Sequence, residues 1–189
     1  MSHPTLYSTV DVPFPNLDEL PERVRERFDD VPVKVNLFRM LAHSPGTFVE
    51  VMDLTDAVFK RLTLDQYSVQ LLVLFVATQE NNAYEWDQHV SIAGAAGVKD
   101  EQMLAIAEDR WDDPSLFSDG DRVLLRFAAG VLRHGKAPAV LFKNSLKTFG
   151  IQELADALIV IGFYRMISGF MLTLDIPIDA QSDGTWITK

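Results

Sequence analysis

The stretch Asn81-Asn82-Ala83-Tyr84-Glu85-Trp86-Asp87-Gln88-His89 holds the densest run of side chains able to do chemistry. Written on a helix, Asn82, Glu85, Trp86 and His89 fall on one side, at spacings of three and four. A carboxyl then stands one turn before an imidazole, beside a large flat ring. Imidazole takes or gives a proton near neutral pH. Glu85 is placed to orient it and hold its proton, and Trp86 to exclude water. Asn82 or Tyr84 is placed to bind a developing oxyanion. The same spacing also suits a plain surface Glu–His pair, worth only ~0.2–0.5 kcal/mol to a helix.

Arg165 stands alone in a long apolar segment near the C-terminus. Burying a guanidinium is costly unless an anion meets it. That anion is either a structural carboxylate or the carboxylate of a substrate. Tyr164 beside it offers a hydroxyl to a ligand, or a satisfied hydroxyl in the core. Arg39 and His43 form a second i,i+4 pair, whose ordinary role is to complement a helix C-terminus. No metal site is expected, because His3, His43 and His134 are not at ligand spacing to His89. There is no glycine-rich phosphate loop and no Gly-x-Ser-x-Gly elbow.

The elements that must carry these residues read as helices almost throughout. Pro4, Pro13 and Pro15 predict an extended arm over residues 1–16. A short charged helix is expected from about Glu19 to Phe28, a second segment over Lys34–His43, and a third from Pro45 to about Arg61. Thr63-x-x-Gln66 has the form of a capping box opening a helix through Leu71–Ala77, a run apolar all round and so buried. Asn81-Asn82 starts the next helix and Gly97 stops it. Asp100 caps a short helix, and Trp111–Phe117 is a loop. Asp119 or Asp121 opens a helix that Gly135 stops, and Pro138 opens one that Gly150 stops. The last helix runs from about Gln152 to Asp175. Within it, Ala157–Leu174 has about the minimum length for a membrane span but carries Arg165 mid-way, so a buried helix is expected instead. The pattern is all-α, one domain, with eight or nine helices.

Composition narrows the function classes. The 189 residues suit one domain. Lys+Arg total 17 against 27 Asp+Glu, a net charge of −10. That sign opposes nucleic acid and anionic membranes as partners. There is no cysteine, so disulfides, thiolate metal sites and thiol catalysis are excluded. No signal peptide is read at the N-terminus, and a cytoplasmic location is expected.

Tyr84-Glu85-Trp86-x-x-His89, followed by Ala93-x-x-Ala96-Gly97-Val98, resembles the carboxymuconolactone decarboxylase-like family, related to the AhpD-like fold. Asn36–Pro45 upstream, with Glu153-Leu154 and Ile161–Tyr164 downstream, adds matching pieces in the same order, so the likeness spans residues 34–175. Residues 1–33 then form an N-terminal arm and short helix, and 176–189 a tail. The resemblance implies an all-α homo-oligomer, a trimer or hexamer, with sites near subunit contacts. It implies a site at His89, with Asn82 and Glu85 standing where thiol peroxidases of this group have their two cysteines. Gln70 stands where their relay glutamate would be. Thiol peroxidase activity is therefore not expected. What the resemblance leaves is a cofactor-independent lyase, of decarboxylase or isomerase type, acting on a small carboxylated lactone or related enolisable acid. His89 and Glu85 would be its catalytic pair. Asn82, Tyr84, Trp86, Gln70, Arg39 and Arg165 would contact the substrate. The alternative is a ligand-binding oligomer that kept the scaffold without the chemistry.

Overall fold

The computed structural model describes residues 11–179. The first ten residues of the expected arm, and most of the expected tail, lie outside that range. Among the described residues every regular element is a helix. A single 3₁₀ turn at Leu17–Glu19 precedes α1 (Glu22–Asp29), α2 (Asn36–Leu41), α3 (Phe48–Lys60), α4 (Gln66–Gln79) and α5 (Ala83–Ala95). Then follow α6 (Asp100–Ala107), α7 (Asp119–His134), α8 (Ala139–Thr148) and α9 (Ile151–Thr173). The charged helix expected from Glu19 is split, because Pro21 intervenes and α1 begins after it.

Helix α4 is the centre. Val69 to Ala77 is buried on every side, and α5, α9, α7 and α6 pack around it. Helix α8 lies on α7 and α9, and α1 on α3. An all-round apolar helix is stable only when enclosed in this way. The single fully buried amide within that run, Gln70, therefore needs an internal partner.

Thr63 does not cap α4. The cap is Asp65, whose carboxylate accepts from the Ser68 N–H at 2.9 Å. Asp156 of α9 accepts from the Thr63 and Leu64 N–H groups instead, so the α3–α4 loop is pinned to α9. The Gln66 side chain turns back to the Phe59 carbonyl.

The α4–α5 junction sets the site. Asn81 takes φ +56°, a left-handed conformation that Asn tolerates better than most residues. The N–H of Asn82 then returns to the Ala77 carbonyl at 2.8 Å and that of Asn81 to Thr78 at 3.1 Å, a Schellman closure. Asn82 immediately caps α5 by accepting from the Glu85 N–H at 3.0 Å. Two helices thus meet at a corner with no slack, which fixes Glu85 and His89 against α4 and α9.

Helix α9 buries Leu154, Ala157, Val160, Ile161, Tyr164, Ile167, Ser168 and Met171, at three-to-four spacing. Its opposite side leaves Leu158, Ile159, Met166 and Leu172 exposed. The helix is long and apolar enough to cross a membrane by length and composition, and half of that 18-residue window is buried in the fold.

Candidate functional site

His89 is buried, and its Nδ1 lies 2.9 Å from Gln70 Oε1. The carbonyl oxygen is an acceptor, so Nδ1 carries the ring proton and Nε2 keeps its lone pair. The Phe59 ring lies parallel to the imidazole, with centroids 6.1 Å apart. The Tyr164 ring meets it edge-on at 5.1 Å. With no counter-charge in contact, burial pushes the histidine down to about 3. It is a neutral base at any ordinary pH.

Glu85 is buried one turn earlier, but it does not hold the His89 proton. Its Oε2 accepts from Ser168 Oγ and, at 3.2 Å, from Asn82 Nδ2. Oε1 has no hydrogen-bond partner among the described residues. Burial raises its pKa to about 8; the hydrogen bond from Ser168 opposes that, and the charge of Glu80 adds to it. At neutral pH Glu85 is a carboxylic acid. Since Oε2 already accepts two hydrogen bonds, its proton belongs on Oε1.

Glu85 and His89 line one small cavity of about 40 Å³. Its other walls are mostly apolar and include Phe38, Phe59, Phe163 and Met171. No Lys or Arg is among its lining residues. Tyr164 and Gln88 also face it.

The remaining residues singled out from the sequence are placed as follows. Asn82 uses both ends of its amide internally, accepting from Glu85 N–H and donating to Glu85 and, at 3.0 Å, to Ser168. Tyr84 lines the cavity, but its hydroxyl donates to Asp179 and accepts from the Leu37 N–H at 3.1 Å. Trp86 packs half-buried against the core outside the cavity lining, and phenylalanines supply the dry wall instead. Arg39 stacks on the Phe14 ring at 4.0 Å. Arg165 is not buried. It lies at the surface, 3.2 Å from Glu80, and donates to the Leu132 carbonyl at 3.3 Å. Neither arginine reaches the cavity lining. Among the described residues no group of three or more His, Asp or Glu side chains is placed to hold a metal.

Three residues were not anticipated. Phe59, Gln88 and Ser168 come from α3, α5 and α9. Ser168 carried a signal: it is a hydroxyl one turn after Tyr164 in a mostly apolar stretch of α9. Gln88 and Phe59 carried none that separates them from surface and core.

No protein family's sequence model and no curated protein matches this chain. Solved structures do. An uncharacterized peroxidase-related protein from Ralstonia eutropha JMP134, described as an alkylhydroperoxidase AhpD core, superposes with a TM-score of 0.77 at 20% identity, covering 92% of this chain and 94% of that one. The chain has the AhpD-like fold. An uncharacterized peroxidase-related protein from Silicibacter sp. TM1040 gives 0.76 at 14% identity, covering 98% and 99%. A debrominase solved in complex with 2,3,4-tribromopyrrole gives 0.70 at 16% identity, covering 92% and 93%. In this AhpD-like chain there is no cysteine. The residue that the resemblance places at the relay glutamate, Gln70, is the one that holds His89. An amide there fixes the tautomer but cannot carry a proton away.

Proposed function

We propose that this AhpD-like chain is a cofactor-independent lyase or isomerase acting on a small, uncharged, enolisable compound. One observation carries the reading. A neutral imidazole and a protonated carboxyl, driven to opposite sides of neutrality by burial, line the same apolar cavity. Environments that push two titratable groups apart in this way mark out an acid and a base.

Nε2 of His89 takes a proton from carbon next to a carbonyl. The electron pair moves onto the carbonyl oxygen, which receives the Oε1 proton of Glu85, and an enol forms. Imidazolium and carboxylate arise together, each stabilising the other in a dry site. Where a double bond adjoins that carbon the enol is a dienol, and His89 returns its proton to the far carbon while Glu85 recovers the oxygen proton, which is isomerisation. Alternatively the carbonyl re-forms as Glu85 recovers the oxygen proton, and a leaving group departs from the β-carbon and takes the proton of the imidazolium, which is a lyase step. The carboxylated lactone anticipated from sequence fits less well, because the cavity lining offers no cation to its carboxylate. The working form is proposed as a homo-oligomer, on the strength of the exposed apolar side of α9.

The test is a mass-resolved screen in D₂O, with lactones, cyclic ketones and β-keto acids and no added metal or cofactor. Expected is deuterium uptake or an isomer with the wild type, and a loss of about 10²–10⁴ in rate for His89→Gln and Glu85→Gln. Full activity in both variants would sink the assignment. Ligand binding without turnover by any protein would favour the second reading, a binding oligomer, which the absence of cysteine and the Gln70 amide support.

A further inference from the structure

Two polar atoms of residues that line the cavity have no role in the chemistry above. The Tyr164 hydroxyl is buried and has no hydrogen-bond partner among the described residues. Gln88 is buried too, and its Oε1 is likewise unpaired. The orientation of that amide is set by Asp179. Its Nε2 faces Asp179 Oδ2 at 3.5 Å, and a carboxylate only accepts. The amide oxygen must therefore point the other way. Leaving such a group buried and unpaired costs free energy, and native folds carry few of them. Here both belong to residues lining one cavity, on α9 and α5, together with the unpaired Glu85 Oε1.

We propose that Tyr164 and Gln88 form a two-point clamp for the substrate: the Tyr164 hydroxyl donates to its carbonyl or enol oxygen, and Gln88 Oε1 accepts from an N–H or O–H of the same molecule. The clamp rests on the acid–base reading of this cavity and narrows it. The substrate class becomes a small, neutral compound carrying one donor and one acceptor, such as a lactam, a hydroxylated enone or an enolic lactone. The wall beside the base is aromatic, with the Phe59 ring parallel to His89 and the Tyr164 ring edge-on to it. Neutrality follows from the absence of Lys and Arg in the lining. The clamp also presets the reaction, because a carbonyl held by Tyr164, whose ring abuts His89, puts its neighbouring carbon beside the base.

The probe is 2-pyridone, a neutral ring with adjacent N–H and C=O, titrated into the full-length protein by calorimetry or NMR. N-methyl-2-pyridone lacks the donor, and benzoate is an anion of similar size. The wild type is expected to bind 2-pyridone about tenfold tighter than the N-methyl compound, the ratio one net hydrogen bond supplies. Benzoate should bind more weakly than either. Gln88→Met should erase the preference between the two pyridones. Tyr164→Phe, which removes only an unpaired hydroxyl and keeps the ring against His89, should weaken both about tenfold. A thermal melt for each variant confirms folding. Equal wild-type affinity for the two pyridones, no saturable 2-pyridone binding, or unchanged binding in Tyr164→Phe would overturn the clamp. Binding in the expected pattern by a protein that turns over nothing keeps the clamp and removes the acid–base reading. Turnover with an unchanged KM in Tyr164→Phe does the reverse.

Discussion

Burying a carboxyl with no cation beside it costs free energy, and the cost appears in how stability depends on pH. The folded pKa of Glu85 is raised from 4.5 to about 8. The unfolded chain therefore loses this proton first as pH rises, and stability declines between about pH 4.5 and pH 8. Glu85→Gln keeps the acceptor for Ser168 and Asn82 and removes the titration. The variant should match the wild type at pH 4 and be more stable by roughly 3 kcal/mol at pH 7, read from urea titrations at the two pH values. It should at the same time be inactive, a stability gain bought with function. Wild-type kcat/KM should fall as pH rises through about 8, where Glu85 ceases to be an acid. His89 has the opposite dependence. Its folded pKa is lowered from 6.5 to about 3, so its contribution is complete above pH 6.5 and lost as pH falls towards 3. His89→Gln should recover roughly 3 kcal/mol of the stability the wild type loses between pH 6.5 and pH 4. Gln70→Glu offers the imidazole a carboxylate. It should raise the histidine's pKa and bring the acid limb of the activity profile up into a measurable range. An unchanged acid limb would mean that Gln70 does not govern the proton on Nδ1.

At the level of elements, the corner between α4 and α5 holds the pair in place. Asn82 closes the Schellman turn, caps α5 and donates to Glu85 and Ser168. Asn82→Ala should cost about 1–2 kcal/mol as a lost cap, and more because Ser168 and Glu85 lose a buried donor. A chemical-denaturation midpoint would measure this, and a loss below about 0.5 kcal/mol would contradict the geometry. This corner was legible in the sequence, because paired asparagines between two helical runs have few other uses. So was the succession of helices, the buried α4, and the stops at Gly97 and Gly135, which take φ of +99° and +72°. What periodicity could not supply was direction across the interior. Helical spacing puts Glu85 one turn from His89 and so suggests that they pair. The imidazole turns instead to Gln70 on α4, and the carboxyl to Ser168 on α9. Both partners lie far along the chain, at sequence separations of 19 and 83, where no local pattern reaches. The same limit hid Arg165. A lone guanidinium in an apolar stretch reads as buried, but α9 is buried on one side only, and Arg165 lies on the other with Glu80 in reach.

That half-covered helix is a property of the whole molecule. Leu158, Ile159, Met166 and Leu172 are exposed along α9. At Gly162 and Gly169 an added Cβ would meet nothing within 4 Å. Contiguous apolar surface of this kind is uncommon on a monomer, and small residues on a helix allow another backbone to come close. The chain carries a net charge of −10, which keeps copies apart wherever the contact is polar, so an apolar patch with one arginine is the face on which they can meet. A bilayer is the other apolar phase that could cover it. However, half of the span-length window already faces the protein core, and satisfying both demands would require unpacking α9 from α4. The expected outcome is a homo-oligomer by sedimentation equilibrium at micromolar concentration, with no partition into neutral lipid vesicles. Met166→Glu, placing a charge in the centre of the patch, should convert it to monomer while leaving the far-UV CD spectrum unchanged. A wild type that sediments as a monomer at 100 µM, or an oligomer indifferent to Met166→Glu, would remove α9 as the contact. In either case the cavity, whose lining comes from one chain's own α2, α3, α5 and α9, should keep its ligand affinity. The comparison of monomeric variant with wild type therefore separates the assembly from the site.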